Sequence, residues 1–358
     1  MITYRALSAP AMCAHIICAV IRGEGAIAGG KVVITDAPTM LDAAVATLEA
    51  AGANYEVLPE GLDPEEVIKR SADAEVLIVT YVRFPAPAIN RLRKVCCIIR
   101  CGVGVDIIDV DAATARGILV ANVPDYATHE VADHTMLLLL AAARQVNHFQ
   151  RSWPERGWGS TEFPAIHRLK GRRLGIIGLG RIGSEVAVRA RAFGMEVVAS
   201  SPHMTESQLT ELGIKGLPLD ELLRTSDLIS LHTPLTSKTS HILDERAFDL
   251  MRRGVVIVNT ARGDLIDLVA LQAAIDRGVV AAVALDVLER EPFPDLSMPF
   301  LHRPNVMITP HVAWYSHDAV RDLGVLAAED ALRYLRGETP RGLLNPEALS
   351  VRPPTSRL

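Results

Sequence analysis

The sequence predicts an α/β protein with two doubly wound parallel sheets, and three observations carry that prediction. From Lys31 onward, short aliphatic runs alternate with segments of helical spacing. The aliphatic runs are apolar throughout rather than at alternate positions, as strands buried on both faces are. At 358 residues the chain exceeds one ordinary core, so two domains are expected.

KVVIT at 31–35 reads as the first strand and LDAAVATLEAAG at 41–52 as the first helix. YEVL at 55–58 follows, then a helix opened by Asp63-Pro64-Glu65-Glu66. That run is an N-cap, a proline at the first helical position and acids beside the positive end of the dipole. EVLIVT (75–80), VCCIIR (95–100) and ILVANV (118–123) continue the strands. EVADHTMLLLLAAARQV at 130–146 is a helix apolar on most sides, expected between domains or subunits. A loop rich in Trp, Gly and Pro is expected at 152–164. A second series then supplies RLGIIG, EVVAS, DLISLHT, VVIVNT, VAAVALDV and NVMITP as strands, and a last helix over roughly 315–336 returns past it.

Composition narrows the function classes. The net charge of −5 argues against a general nucleic-acid binder, which needs a basic face for phosphate. The basic run RLRK at 91–94 reads as the solvated end of a helix. The five cysteines (Cys13, Cys18, Cys96, Cys97 and Cys101) lack zinc-ligand spacing and suit a reducing cytosol. His129, His134 and His148 are expected on one helix at spacings unsuited to a metal pair, so no metal is expected. No apolar run reaches the roughly 18 residues of a membrane span. AMCAHIICAVI at 11–21 faintly imitates a signal peptide, but His15 interrupts it, and a poorly ordered extension over residues 1–30 is expected instead.

Gly178-Leu-Gly180-Arg181-Ile182-Gly183 fits G-x-G-x-x-G, with a strand leading in and a helix leading out. The first glycine permits the tight turn, the second admits a pyrophosphate to the backbone, and the third lets helix pack on strand. The helix N-terminus adds unpaired N–H groups for the anion. A plain glycine-rich turn is the competing reading. An acid that binds the ribose is expected about 20 residues on, yet Ser201 stands 18 residues past Gly183. No arginine follows, only His203, so NAD and NADP both remain open.

Three polar residues follow strands at what a parallel sheet makes its carboxyl edge: Arg262, Glu291 and His311. Alone, each has an ordinary reading: a surface ion pair, a loop acid, a helix-capping histidine. Cys101, beside Gly102 and Gly104, reads as a small buried side chain rather than a redox centre.

At this point the sequence resembles the D-isomer-specific 2-hydroxyacid dehydrogenase family. GIIGLGRIG, NTARG at 259–263, DVLEREPFP at 286–294 and TPHVAW at 309–314 carry the resemblance, with RCGVGVDIID at 100–109 and PDYATHEVADH at 124–134. The match runs from Lys31 to Pro346 and is nearest the C-terminal-binding-protein and phosphoglycerate-dehydrogenase-like branch. It implies a Rossmann nucleotide domain at 126–311 inserted in a flavodoxin-like substrate domain made of 31–125 and 312–346, with a tail at 347–358. It implies an NAD(P)-dependent enzyme that moves a hydride between nicotinamide and a small D-2-hydroxy acid or 2-keto acid. His311 would be the general acid–base, Glu291 would orient its imidazole, and Arg262 would hold the substrate carboxylate. Val103 and Gly104 would add backbone donors to the substrate, and Tyr81 and Trp314 would line its pocket. Gly178, Gly180, Arg181, Ile182, Gly183, Ser201, Thr260, Ala261 and Asp286 would serve the cofactor, Asp286 near the nicotinamide.

Glu291, where formate dehydrogenases of this fold carry Gln, favours a hydroxy acid. Thr80-Tyr81 replaces the Arg-Ser that phosphoglycerate dehydrogenases use near phosphate, which weakens 3-phosphoglycerate as substrate, although Arg83 is a possible substitute. The chain is expected to end before the regulatory domain that often follows in those enzymes. A cytoplasmic homodimer is expected, because the helix at 130–146 is too apolar to face water, and neither nucleic acid nor membrane is expected as a partner. The alternative is an NAD(H)-sensing scaffold of the C-terminal-binding-protein type, which need not keep His311, Glu291 and Arg262.

Overall fold

The computed structural model describes residues 30–36, 41–158, 163–291 and 297–351. Apart from Gly30, the expected N-terminal extension, including Cys13 and Cys18, lies outside the described residues, as do residues 352–358 of the expected tail. The chain divides into two compact units: the described residues up to Tyr126 together with those from Val320 onward, and Ala127–Ala319.

The first unit opens β1 (Lys31–Ile34), α1 (Asp42–Ala50), β2 (Asn54–Val57), α2 (Pro64–Ser71), β3 (Val76–Val79), α3 (Ala86–Ile89), β4 (Cys97–Arg100), α4 (Val110–Ala115) and β5 (Leu119–Asn122). The strands form one parallel sheet in the order β2-β1-β3-β4-β5, the flavodoxin-like doubly wound order. Val32 and Ile34 pack into one apolar layer and Val33 into the other, which explains why the strand runs are apolar throughout. The expected cap of α2 is present: Asp63 accepts from the Glu65 N–H at 2.8 Å, with Pro64 in the first turn.

The second unit runs α5 (Thr128–Ala143), α6 (Val146–Arg156), β6 (Arg173–Ile177), α7 (Arg181–Ala192), β7 (Glu196–Ser200), α8 (Glu206–Glu211), β8 (Lys215–Gly216), α9 (Leu219–Thr225), β9 (Leu228–Leu231), α10 (Glu245–Leu250), β10 (Val255–Asn259), α11 (Leu268–Asp276), β11 (Val280–Leu285) and β12 (Val306–Ile308). Its seven parallel strands are ordered β12-β11-β10-β9-β6-β7-β8. The order reverses on either side of β6, so the turn after β6 sits at the switch point where such sheets bind ligands.

Sequence and structure part company just after α5. The apolar segment is not one helix over 130–146. It ends at Ala143, and Gln145 takes a left-handed conformation (φ 54°) that redirects the chain into α6. No glycine or proline announces that break. The first part of the expected 152–164 loop, with Trp153 and Pro154, is therefore helical, and His148 stands on a different helix from His129 and His134. The apolar character of α5 also has a cause within its own unit. Val131, Ala132, Thr135, Met136, Leu138, Leu139 and Ala142 are buried, and Ala132, Met136, Leu138, Leu139 and Ala142 share a core with β6, β7, β10 and β11. Leu137 is its exposed large apolar residue, so burial against a second subunit is not needed to explain most of the stripe.

From Val320 the chain belongs to the first unit again, through most of α12 (His317–Leu335) and then α13 (Ala348–Val351). Leu323, Ala327, Ala328, Ala331, Leu332 and Leu335 recur at helical spacing and pack on the layer of Val32 and Ile34. Gly324 lets this helix close on α1, since a Cβ there would lie 2.9 Å from the Ala44 nitrogen. Beyond it the segment around Gly342–Asn345 lies along β5, with Asn122 N–H donating to Gly342 O (3.0 Å) and Leu344 N–H to Val120 O (2.9 Å). The Asn345 side chain is fully buried, accepts from Val120 N–H (2.8 Å), and donates to Ile118 O (2.9 Å) and Thr114 Oγ1 (2.8 Å). Asn345→Ala strands these groups, each worth about 1–3 kcal/mol when orphaned in a core. Denaturant unfolding is expected to show a loss of at least about that size, while Asn345→Asp recovers only the accepting half.

Candidate active site

A buried carboxylate organises the carboxyl edge of the second sheet. Asp286 follows β11 and is 1% exposed. Its Oδ1 accepts from Thr309 Oγ1 (2.5 Å) and Val312 N–H (3.0 Å), and its Oδ2 from Ala313 N–H (2.9 Å). Its carbonyl accepts from His311 N–H at 2.7 Å. Thr309 spends its one proton on Asp286, so its oxygen receives the proton of His134 Nε2, 3.1 Å away. The segment 309–313 is thereby wrapped around one side chain, and His311 is held at φ 52°, a left-handed conformation uncommon for a residue with a Cβ. Trp314 adds a further tie, its indole N–H donating to His311 O at 3.0 Å.

The imidazole so presented meets Glu291. His311 Nδ1 and Glu291 Oε2 are hydrogen-bonded, and Glu291 Oε1 accepts from Leu288 N–H at 2.9 Å. With both carboxylate oxygens engaged, Glu291 holds Nδ1 and leaves Nε2 as the outward nitrogen of the ring. Arg262 stands past the end of β10, the strand beside β11. Asn259 shapes its turn, accepting from Ala261 N–H (3.0 Å) and donating to Arg262 O (2.8 Å). Gly263 joins the two loops: a Cβ there would sit 2.0 Å from the Leu288 carbonyl carbon, so only glycine fits. Arg262 thus precedes a backbone-to-backbone contact whose other side carries the N–H that holds Glu291.

The glycine turn lies after β6 in the same sheet. Gly178 has φ 93°, and a Cβ there would lie 2.7 Å from the His232 backbone. A Cβ on Gly183 would lie 2.3 Å from Gly178 O. Both are glycines for contacts inside the protein. Gly180, the N-cap of α7, differs, because a Cβ there would meet nothing within 4 Å. Its space faces outward, above a helix start with no side-chain cap, which suits a group that must approach the backbone from outside.

The family profile described as D-isomer specific 2-hydroxyacid dehydrogenase, NAD binding domain, matches residues 136–313. A glyoxylate reductase of Korarchaeum cryptofilum is 38% identical over 292 residues, covering 80% of this chain and 88% of that protein. The chain belongs to the D-isomer-specific 2-hydroxyacid dehydrogenase family. A D-3-phosphoglycerate dehydrogenase of Methanocaldococcus jannaschii is 40% identical over 317 residues, 88% of this chain and 59% of that one. The chain thus spans little more than half the length of the phosphoglycerate dehydrogenases it matches. A crystal structure of a glyoxylate reductase from Paecilomyes thermophila superposes with a TM-score of 0.81 at 32% identity, covering 89% of this chain and 99% of that one.

The family's cofactor is NAD or NADP, and the open cradle at Gly180 fits its pyrophosphate. Arg181 and Ile182 form the first turn of α7, with Ile182 packed partly into the core. Ser201 directly follows β7. Ala261 lies in the Asn259 turn, and the Thr260 hydroxyl is bonded to that of Thr135 at 2.8 Å. In the first unit, Tyr81 is exposed in a loop whose N–H groups at 80–82 converge on Asp36, and Val103 is held by Asn122 Nδ2 donating to its carbonyl (2.6 Å). Gly104 follows it, half-buried. Burial pushes the Cys101 thiol up to about 12, which suits an inert core cysteine. Among the described residues no group of three or more His, Cys, Asp and Glu could hold a metal ion.

Sequence reasoning missed Thr309, His134 and His232. The first two act in a relay, His134 on the Thr309 hydroxyl and Thr309 on the Asp286 carboxylate, that no spacing rule reveals. His232 had a readable signal, a histidine directly after a buried strand beside the glycine turn. Its Nε2 lies 2.8 Å from Ser230 Oγ, and burial pushes the imidazole down to about 4. Between that value and the ordinary 6.5 the unfolded chain takes up a proton that the folded one refuses, so stability falls as pH drops through that window. Unfolding at pH 7 and pH 5 is expected to show a larger loss for the native chain than for His232→Asn. Asp286→Asn, which sets an amide against N–H donors, is expected to cost about 1–3 kcal/mol in the same assay.

Proposed function

We propose that the chain is an NAD(P)-dependent D-2-hydroxyacid dehydrogenase acting on a small 2-hydroxy acid or 2-keto acid. The observation that carries this reading is the His311–Glu291 pair, built on Asp286 and joined through Gly263 to the loop of Arg262. The bound nicotinamide supplies or accepts the hydride. The residues of the chain manage charge and protons around it. His311 Nε2 gives a proton to the keto oxygen during reduction and removes it from the alcohol during oxidation. Glu291 keeps the ring oriented, and the planar guanidinium of Arg262 binds the substrate carboxylate in a bidentate fork.

This reading assigns substrate contacts to Val103, Gly104, Tyr81 and Trp314, and gives Asp286 a positioning part as well as nearness to the nicotinamide. It takes the nucleotide domain as 126–311 and the substrate domain as 31–125 with 312–346. Thr80-Tyr81 favours an unphosphorylated keto acid of the size of glyoxylate, hydroxypyruvate or pyruvate. The matched relatives carry the names of dehydrogenases and reductases, which favours catalysis over the scaffold alternative. A homodimer and a cytoplasmic location complete the proposal. No described helix is long and apolar enough to cross a membrane.

Loss of nicotinamide absorbance with glyoxylate, hydroxypyruvate, pyruvate and branched 2-keto acids tests the reading. His311→Ala is expected to lower kcat by about 10²–10⁴. Arg262→Lys is expected to act chiefly on KM, because a point charge cannot replace the fork. Absence of turnover with every keto acid, with nucleotide binding retained, would overturn the enzyme and restore the sensor.

A further inference from the structure

Beside the glycine turn the second unit has a cavity of about 330 Å³, lined by Ser200, Ser201, Pro202, Leu209, Leu217 and Leu219 among others. It sits at the end of β7, and the turn adjoins it directly, since Gly178 N–H donates to Ser200 O at 2.9 Å. The two features divide a dinucleotide between them. The open start of α7 would take the pyrophosphate, and the apolar walls of Leu209, Leu217 and Leu219 suit a flat heteroaromatic base. The ribose joining base to pyrophosphate must then pass the rim at Ser200–Ser201.

That rim decides which nucleotide enters. A carboxylate there would accept from a ribose 2′-OH and repel a 2′-phosphate, whereas an arginine would hold the phosphate. Neither is present, and every described residue lining the cavity is uncharged. The Ser201 hydroxyl is both donor and acceptor, so it serves a 2′-OH or a phosphate oxygen equally well. The loop beyond builds no dedicated phosphate clamp. Thr205 is spent on the capping box of α8, its hydroxyl accepting from Gln208 N–H (3.3 Å) and its N–H donating to Gln208 Oε1 (2.9 Å). His203 is the basic residue of that turn, and it is exposed.

We infer that the neutral, hydroxyl-bearing ribose rim at Ser201 does not discriminate against a 2′-phosphate, so that the chain accepts NADPH as well as NADH. This rests on the dinucleotide reading of the turn and cavity but not on any substrate. A dehydrogenase with such a rim draws on whichever reduced nucleotide is more abundant around it.

Fluorescence titration of the full chain with NADH and with NADPH, without substrate, is the test. The native chain is expected to bind the two within about tenfold of each other. Ser201→Asp is expected to weaken NADPH relative to NADH by about a hundredfold or more. Ser201→Arg is expected to shift the ratio about tenfold towards NADPH. Ser201 is half-buried in a surface turn, and unchanged thermal unfolding of both variants confirms that they fold. A native preference above about a hundredfold for either nucleotide would overturn the inference, as would a Ser201→Asp ratio equal to the native one. Failure of the native chain to bind either nucleotide would instead sink the dinucleotide reading, and this inference with it.

Discussion

A carboxylate sealed from water must be surrounded by donors, and at Asp286 that requirement shapes the candidate site. An uncompensated charge at that depth costs far more than any nearby loop conformation. The chain meets the demand with the Thr309 hydroxyl and the N–H groups of Val312 and Ala313. Two of those donors are main chain, so satisfying the charge also fixes the backbone. The left-handed conformation of His311 between them follows from that wrapping, its strain offset by the hydrogen bonds that impose it.

A second constraint comes from the parallel sheet itself. Crossover connections bring every strand out at the same edge, so groups remote in sequence meet there without long loops. Arg262 and Glu291 lie on the loops of adjacent strands, and the absent side chain of Gly263 sets how closely those loops approach. The same edge holds the glycine turn after β6. The candidate chemistry thus hangs on rigid strand ends, with short loops adding only the last few ångströms of placement.

Much of the fold was legible because strands buried on both faces leave unbroken aliphatic runs, and because Asp63-Pro64 marks a helix start with two independent signals. The break after α5 was not, since it depends on Gln145 adopting a conformation for which glycine is the usual sign. Arg262, Glu291 and His311 stood out through strand-end position and family likeness together, neither of which alone separates a catalytic group from a surface ion pair. The inward turn of Asp286 was hidden for a physical reason. Two of its three donors are backbone N–H groups, which every residue but proline has, so the sequence around it carries little mark of the contact.

The segment around Gly342–Asn345 that lies along β5 sets an order of assembly during synthesis. The sequence of the second unit is complete at Ala319, before the closing segment of the first unit is made. The first unit has by then been waiting for its long helix, with the flank of β5 bare. Nascent chain must reach Asn345 before that flank is closed. Until then it offers unpaired backbone groups of the kind that recruit neighbouring chains. The inserted unit thus holds its whole sequence before the first unit does, and until Asn345 arrives the flank of β5 is the edge the first unit leaves open.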